Sequence, residues 1–176
     1  MKLDLACGQN RAAGWVGVDV SPDAHPDVIA DLRLPWIFPD ESIAEARCVH
    51  FFEHLTSAER IHFMRELDRV LVPGGTCTFT TPLGFNRMVQ DPDHKWPPVV
   101  RGTFYYFSRE WRDANGLSHY ESLHGLRCDL VLVRAEMKYD PTQFPASLSP
   151  ERLDDLLLMH PDAQTDLVSV VQKPKR

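Results

Sequence analysis

The chain has 176 residues, which at ~150 residues per domain fits one compact unit whose single site must carry the function. Hydrophobic residues make up 43% and charged residues 25%, close to the globular average, which excludes a disordered, collagen-like or disulfide-stapled chain. Nineteen basic against twenty-five acidic residues leave a net charge of −6, the wrong sign for gripping phosphate backbones, so nucleic acid is disfavoured as a partner.

In chain order, residues 2–6 and 15–20 are short, apolar and β-rich, and both run into turn-type residues, so both predict buried strands. Val28 to Ala30 is a third strand, Glu45 to Phe51 a fourth, and Thr76 to Thr81, after Pro73-Gly74-Gly75, a fifth. Between the fourth and fifth, Thr56 or Ser57 caps a helix in which Ile61, Met64, Leu67 and Leu71 recur at helical spacing until Pro73 ends it. Cys128 to Met137 and Asp166 to Val171 predict two terminal strands pairing antiparallel at one edge, with a short helix near Pro150 to Met159 between them. Alternating strands and helix indicate an α/β layer fold with a mostly parallel sheet. The stretch from Leu83 to Gly125, rich in Trp, Tyr, Phe, His and proline, reads as a binding insertion within one domain spanning 1–176.

No apolar run approaches the ~18 residues of a bilayer span, and Asp4 stands where a secretory segment needs continuous apolar residues. A soluble, cytoplasmic protein with no membrane partner is expected. Cys7, Cys48, Cys77 and Cys128 form no C-x-x-C pair and read as reduced, mostly buried thiols.

In an open parallel sheet the ligand sits beyond the carboxyl ends of the central strands. There Asp4-Leu5-Ala6-Cys7-Gly8 closes the first strand, and Gly8 has no side chain to keep a ligand from the backbone. Asp19 ends the second strand, where a carboxylate accepts from both hydroxyls of a ribose. Asp31 follows the third and accepts from a purine amine beside the apolar Leu32, and His50 and Phe51 end the fourth. The plainer reading of each is a turn cap.

Together these segments resemble the class I S-adenosylmethionine-dependent methyltransferases. Asp4 to Gly8 resembles their first motif, Val18-Asp19 their ribose-binding acid, and Asp31 to Ser42 their adenine loop and the segment that follows it. His50 to Leu55 resembles their fourth-strand motif, and Arg69 to Gly75 the turn before their fifth strand. The match covers residues 2 to 82, and Asp91-Pro92-Asp93-His94 resembles a DPxH element of some such enzymes. The resemblance implies a Rossmann-like sheet of about seven strands, order 3-2-1-4-5-7-6, with an antiparallel edge strand. It implies S-adenosyl-L-methionine as cofactor, held by Asp4, Ala6, Cys7, Gly8, Gln9, Asp19, Val20, Asp31, Leu32, His50 and Phe51.

Two departures stand out. Gly8 is followed by Gln9-Asn10-Arg11, not a glycine-rich loop, and residues 7–14 are too few for a full crossover helix, so a tight loop or one helical turn is expected. Relatives usually carry helices before the first strand, which begins here at residue 2. The lid is therefore expected from the insertion around Trp96 to Trp111, between hinge candidates Gly84 and Gly102, or from a neighbouring subunit of a homo-oligomer. The rival dinucleotide site fails, because no G-x-G-x-x-G is present.

His50-Phe51-Phe52-Glu53-His54 spells H-x-x-E-H, but its first His lies at a strand end, which argues against a catalytic zinc. A divalent ion held by His50, Glu53 and His54 is an alternative to a plain helix-entry turn with a structural Glu53, and no metal ligand is assigned. Cys7 lacks a recognisable His and Asn partner and reads as a packing residue. His54 and His94 are the candidate catalytic bases, since histidine titrates near neutral pH. From Gly84 to Arg112, five cations (Arg87, Lys95, Arg101, Arg109, Arg112) face three acids (Asp91, Asp93, Glu110), a local +2 that favours a polar or anionic acceptor. Among Trp96, Phe104, Tyr105, Tyr106, Phe107 and Trp111, some are expected to stack on an acceptor and most to pack their own loop. The sequence thus points to methyl transfer to a small-molecule or glycan-like acceptor. The alternative is a non-catalytic module that binds the cofactor or its product, S-adenosylhomocysteine, as a partner subunit or sensor. An amino-methylating nucleic-acid enzyme is disfavoured, because His50-Phe51-Phe52-Glu53 does not match an Asn/Asp-Pro-Pro-aromatic motif.

Overall fold

The computed structural model describes residues 1–83, 90–140, 142, 148–149, 152 and 164–175. Five parallel strands, β1 (Lys2–Leu5), β2 (Val16–Asp19), β3 (Val28–Ile29), β4 (Ile43–Val49) and β5 (Leu71–Pro82), join β6 (Val131–Tyr139) and β7 (Gln164–Gln172) in one seven-stranded sheet. Its order is β3-β2-β1-β4-β5-β7-β6, with β7 antiparallel to both neighbours, as the resemblance implied. Among the described residues, no helix is long and apolar enough to cross a membrane.

The central strands form because they bury apolar side chains: Leu3 and Leu5 of β1, Val18 of β2, Ile43 and Cys48 of β4, and Cys77 and Phe79 of β5. The helix α1 (Ser57–Val70) covers them with Phe63, Met64, Leu67 and Val70, and Phe63 meets Trp36 edge-on at 5.0 Å between ring centroids. Its N-terminus carries a full capping box. Glu59 Oε2 accepts from the Thr56 backbone N–H at 2.8 Å, and Thr56 Oγ1 accepts from the Glu59 N–H.

Several boundaries differ from the sequence reading. α1 ends at Val70, and Leu71, extended at φ −68° and ψ 135°, already belongs to β5. Pro73-Gly74-Gly75 is no turn ahead of the strand but an irregularity within it. Gly74 sits at φ +83°, and a Cβ on Gly75 would lie 2.9 Å from the Val72 carbonyl. β4 spans Ile43–Val49, stopping short of Phe51, because His50 adopts a left-handed φ of +51° that turns the chain out of the sheet. β6 starts at Val131, because the Leu130 N–H is bonded to the Phe107 carbonyl and Cys128 is buried in the core.

Residues 6–15 connect β1 to β2 with no helix, as the short spacing required. Asp4, buried at 1% exposure, anchors this loop. Its Oδ2 accepts the Ala12 N–H at 2.7 Å, and its Oδ1 pairs with Arg47 Nε at 2.8 Å across β1 and β4. Arg11 lies across Gly17, where a Cβ would meet Arg11 Cδ at 2.5 Å, and its guanidinium is bonded to Asp27. Asp27 in turn accepts the Gly17 N–H at 2.8 Å, so one arginine covers the sheet face at that point.

The insertion contributes α2 (Arg101–Tyr105), α3 (Arg109–Ala114) and α4 (Tyr120–His124). Phe104 is fully buried and stacks on Phe52 at 5.8 Å, so this segment completes the core as well as flanking the site. Arg112, counted above among the cations favouring an acceptor, is 1% exposed and donates to the carbonyls of Tyr106 and Cys128. It braces the fold instead. The helix expected near Pro150 to Met159, and Gly84 and Arg87, lie outside the described residues.

Asp4→Ala is expected to destabilise the protein by about 2–3 kcal/mol, because it strands the Ala12 N–H and leaves Arg47 without its buried partner. Urea unfolding checks this. A loss under about 0.5 kcal/mol, the usual range for a surface substitution, would contradict the anchoring role.

Candidate functional site

The carboxyl ends of β1, β2 and β3 open onto a cleft of about 500 Å³ lined by Ala6, Asp19, Val20, Asp31, Leu32 and Phe51, with His54, Glu59, Asp93 and Lys95 among its remaining walls. Ala6 stands at a left-handed φ of +52°, so the chain leaves both central strands, β1 at Ala6 and β4 at His50, in a conformation uncommon for residues other than glycine.

Asp19 is held ready for a ligand. Its Oδ2 accepts the Gly8 N–H and its Oδ1 the Ser21 N–H, each at 2.9 Å, which fixes the carboxylate and leaves each oxygen a further lone pair. Gly8 reaches it at φ +51°. Asp31 is more committed. It accepts from the Arg33 backbone N–H at 2.9 Å and from the Arg33 guanidinium, which holds its carboxyl below the usual range. An approaching amine must displace Arg33 from part of it.

The structure gathers Ala6, Asp19, Val20, Asp31, Leu32, Phe51 and His54 around one cleft. Asp4 lies beneath it as the loop anchor, and Gly8 touches it through Asp19. Cys7 is buried, and its thiol is pushed up by burial and by the Asp19 and Asp4 charges, which suits a packing residue and not a nucleophile. Gln9 lines a separate depression with Arg11 and His25. His50 and His94 line a second, open cavity of about 820 Å³, together with Glu53, Asp91 and Asp166. His54 lines both cavities, so the two adjoin at that residue.

Two segments build that junction. The first is the 3₁₀ turn Phe52–His54. The second is the tight turn Asp91–His94, where Asp91 Oδ1 accepts the Asp93 N–H at 2.9 Å and its carbonyl accepts the His94 N–H. Arg60 of α1 locks them together. Its guanidinium donates to the carbonyls of Phe52, Glu53, Lys95 and Pro97, and the Lys95 N–H donates to the Glu53 carbonyl at 2.9 Å. As a result the His54 and His94 rings meet edge-on at 4.9 Å, and His54 Nδ1 lies 3.1 Å from Asp93 Oδ2.

Sequence reasoning passed over Arg33, Thr56, Glu59 and Arg60. Thr56 was named only as a helix cap, yet it lines the cleft together with Glu59. The aromatic residues of the insertion turn elsewhere. Tyr106 packs on Trp111 and Tyr120, and Tyr106 and Phe107 line an apolar groove with Ile61 and Leu126, while Trp96 is 77% exposed. From the insertion, only Asp93 and Lys95 reach the cleft among the described residues.

No protein-family model matches the chain, and neither does any curated protein. Solved structures do. A candidate sarcosine dimethylglycine methyltransferase from Galdieria sulphuraria is 18% identical with a TM-score of 0.60, over 99% of this chain and 78% of that one. An S-adenosylmethionine-dependent methyltransferase from Archaeoglobus fulgidus is 15% identical with a TM-score of 0.60, over 98% of this chain and 85% of that one. The chain has the fold of the class I S-adenosylmethionine-dependent methyltransferases. The same methyltransferase fold is shared by the cyclase SpnF, at 15% identity and a TM-score of 0.55 over 99% of this chain and 75% of that one. The fold alone therefore does not name a reaction, which must be argued from the site.

Replacing Arg60 by Met is expected to release the 93–97 segment, with faster amide exchange there and a stability loss of about 2–4 kcal/mol. Hydrogen exchange read by mass spectrometry checks it. Unchanged protection across 93–97 would show that other contacts hold the segment.

Proposed function

We propose that the protein binds S-adenosyl-L-methionine in the cleft over β1, β2 and β3 and transfers its methyl group to a small, hydroxyl-rich or glycan-like acceptor. The observation that carries this reading is the meeting of two cavities at His54: one ends in a fixed carboxylate, Asp19, suited to a ribose, and the other is lined by polar side chains. In-line displacement needs the two reactants end to end, and alignment supplies much of the rate.

The charge of the cleft fits the ligand. Four carboxylates, Asp19, Asp31, Glu59 and Asp93, against Arg33 and Lys95 leave it net acidic, which suits a cationic sulfonium and repels a pyrophosphate. Leu32 and Phe51 supply apolar walls for a purine. His54, with Asp93 beside its Nδ1, stands at the junction where an acceptor proton must leave, and His94 packs against its ring. The acceptor cavity holds His50, Glu53, Asp91 and Asp166 and presents hydrogen-bonding groups, not an aromatic slot.

Asp19→Ala is expected to weaken S-adenosylhomocysteine binding by ~10- to 100-fold, the ~1.5–3 kcal/mol of a charge-assisted hydrogen bond, in a protein that remains folded. Calorimetry reads this, and unchanged affinity would remove Asp19 from the site. His54→Ala is expected to lower turnover by ~100-fold or more with S-adenosylhomocysteine affinity preserved. Labelled methyl transfer to a panel of sugars and small alcohols reads that. Cofactor binding with no transfer to any of them would favour a non-catalytic binding module.

A further inference from the structure

We propose that Glu53, His54 and His94 form a binding site for one divalent transition-metal ion, with zinc as the reference ion. One carboxylate oxygen and one ring nitrogen from each histidine lie within 4.8 Å of one another. Tetrahedral ligand atoms ~2.1 Å from a common ion stand ~3.4 Å apart, so side-chain shifts of roughly an ångström close the set. The edge-on packing of the two imidazoles already brings their rims together.

The electrostatics point the same way. Glu53 is 1% exposed, and among the described residues its Oε2 meets no hydrogen-bond donor, while Oε1 lies 3.4 Å from His50 Nδ1. A buried carboxylate oxygen without a donor is strongly disfavoured unless a cation serves it. Arg60 is near enough to act on Glu53 electrostatically but donates it no hydrogen bond, because its N–H groups go to four main-chain carbonyls. His54 Nδ1 is likewise buried without an aligned hydrogen bond, although Asp93 Oδ2 is only 3.1 Å away. Glu53 Oε2 thus lacks a donor among the described residues at the point where His54 and His94 converge from different segments.

Two imidazoles and one carboxylate select borderline ions such as zinc over calcium or magnesium, which prefer all-oxygen shells. Three protein ligands leave a coordination position open, as in catalytic sites. All three ligand residues line the acceptor cavity, so an acceptor hydroxyl oxygen is the group that position would take. With the ion bound, the histidines orient the acceptor through it, and the proton-accepting role of His54 proposed above belongs to the metal-free protein. The acceptor role rests on the methyl transfer proposed above, whereas metal binding itself is read without cofactor or acceptor.

The test uses the full chain, stripped with a chelator and then titrated with Zn²⁺ by calorimetry and with Co²⁺ by visible absorption. One equivalent of each ion is expected, with a cobalt spectrum of low coordination number and a higher melting temperature in zinc. His94→Ala and Glu53→Gln are each expected to weaken binding by ~10-fold or more, while His119→Ala, on the exposed surface, leaves it unchanged. Should Glu53→Gln fail to fold, His94→Ala alone decides. No saturable binding, or binding equally strong in His94→Ala, would overturn the proposal. Zinc binding in a protein that transfers no methyl group would instead leave it standing and overturn the function proposed above.

Discussion

Arg60 sits in the first half of α1, where an arginine normally reaches solvent, yet it is 3% exposed and its donors are directed to main-chain carbonyls on both sides of the site. Burying a guanidinium costs several kcal/mol, and charge-assisted hydrogen bonds of ~1.5–3 kcal/mol each offset this only when the acceptors are fixed. Here they are fixed in two ways. Phe52 and Glu53 follow directly from the end of β4, and α1 is held against the sheet by its buried apolar face. Lys95 and Pro97 are the segment that must be brought in, and Asp93 and His94 come with it. The junction of the two cavities thus depends on one side chain that touches neither the proposed cofactor nor the proposed acceptor.

The other half of the site depends on a short loop. A parallel sheet needs long crossovers, and residues 6–15 cannot supply a helix. The connection is instead held by Asp4 from below and by Arg11 laid across Gly17 and tied to Asp27. That same loop presents Gly8 to Asp19, so the ribose-binding geometry proposed here is a product of loop anchoring and not of a helix terminus. An aspartate that looks like a cofactor ligand in the sequence therefore acts one layer deeper, through the backbone that positions another.

Much of the fold was legible because its signals are local. Apolar runs such as Leu3 to Ala6 and Val16 to Val20, the Thr56-x-x-Glu59 cap and the apolar spacing of α1 each state their element within a few residues. The order of the strands came from resemblance across co-ordered motifs, and the cleft residues Asp19, Asp31 and Leu32 from their places at strand ends. The rest was not legible, for three physical reasons. Buried cations contradict the usual rule that arginine faces water, so Arg60 was passed over and Arg112 was read as an acceptor-facing charge. Convergence is also non-local: nothing in the chain between His54 and His94 announces that their rings pack at 4.9 Å. The start of β5 was hidden for a third, local reason, since Pro73-Gly74-Gly75 carries turn chemistry inside a continuous strand.

The central claim is that an adenosyl cofactor spans the cleft from Asp31 to His54 with its ribose on Asp19. A crystal structure of the protein with S-adenosylhomocysteine tests it most directly. The account predicts ribose hydroxyls within hydrogen-bonding distance of the Asp19 carboxylate, the purine against Leu32, and the sulfur directed toward His54 and the polar cavity beyond it. A ligand bound elsewhere, or one whose sulfur faces away from His54 with Asp19 uncontacted, would contradict it.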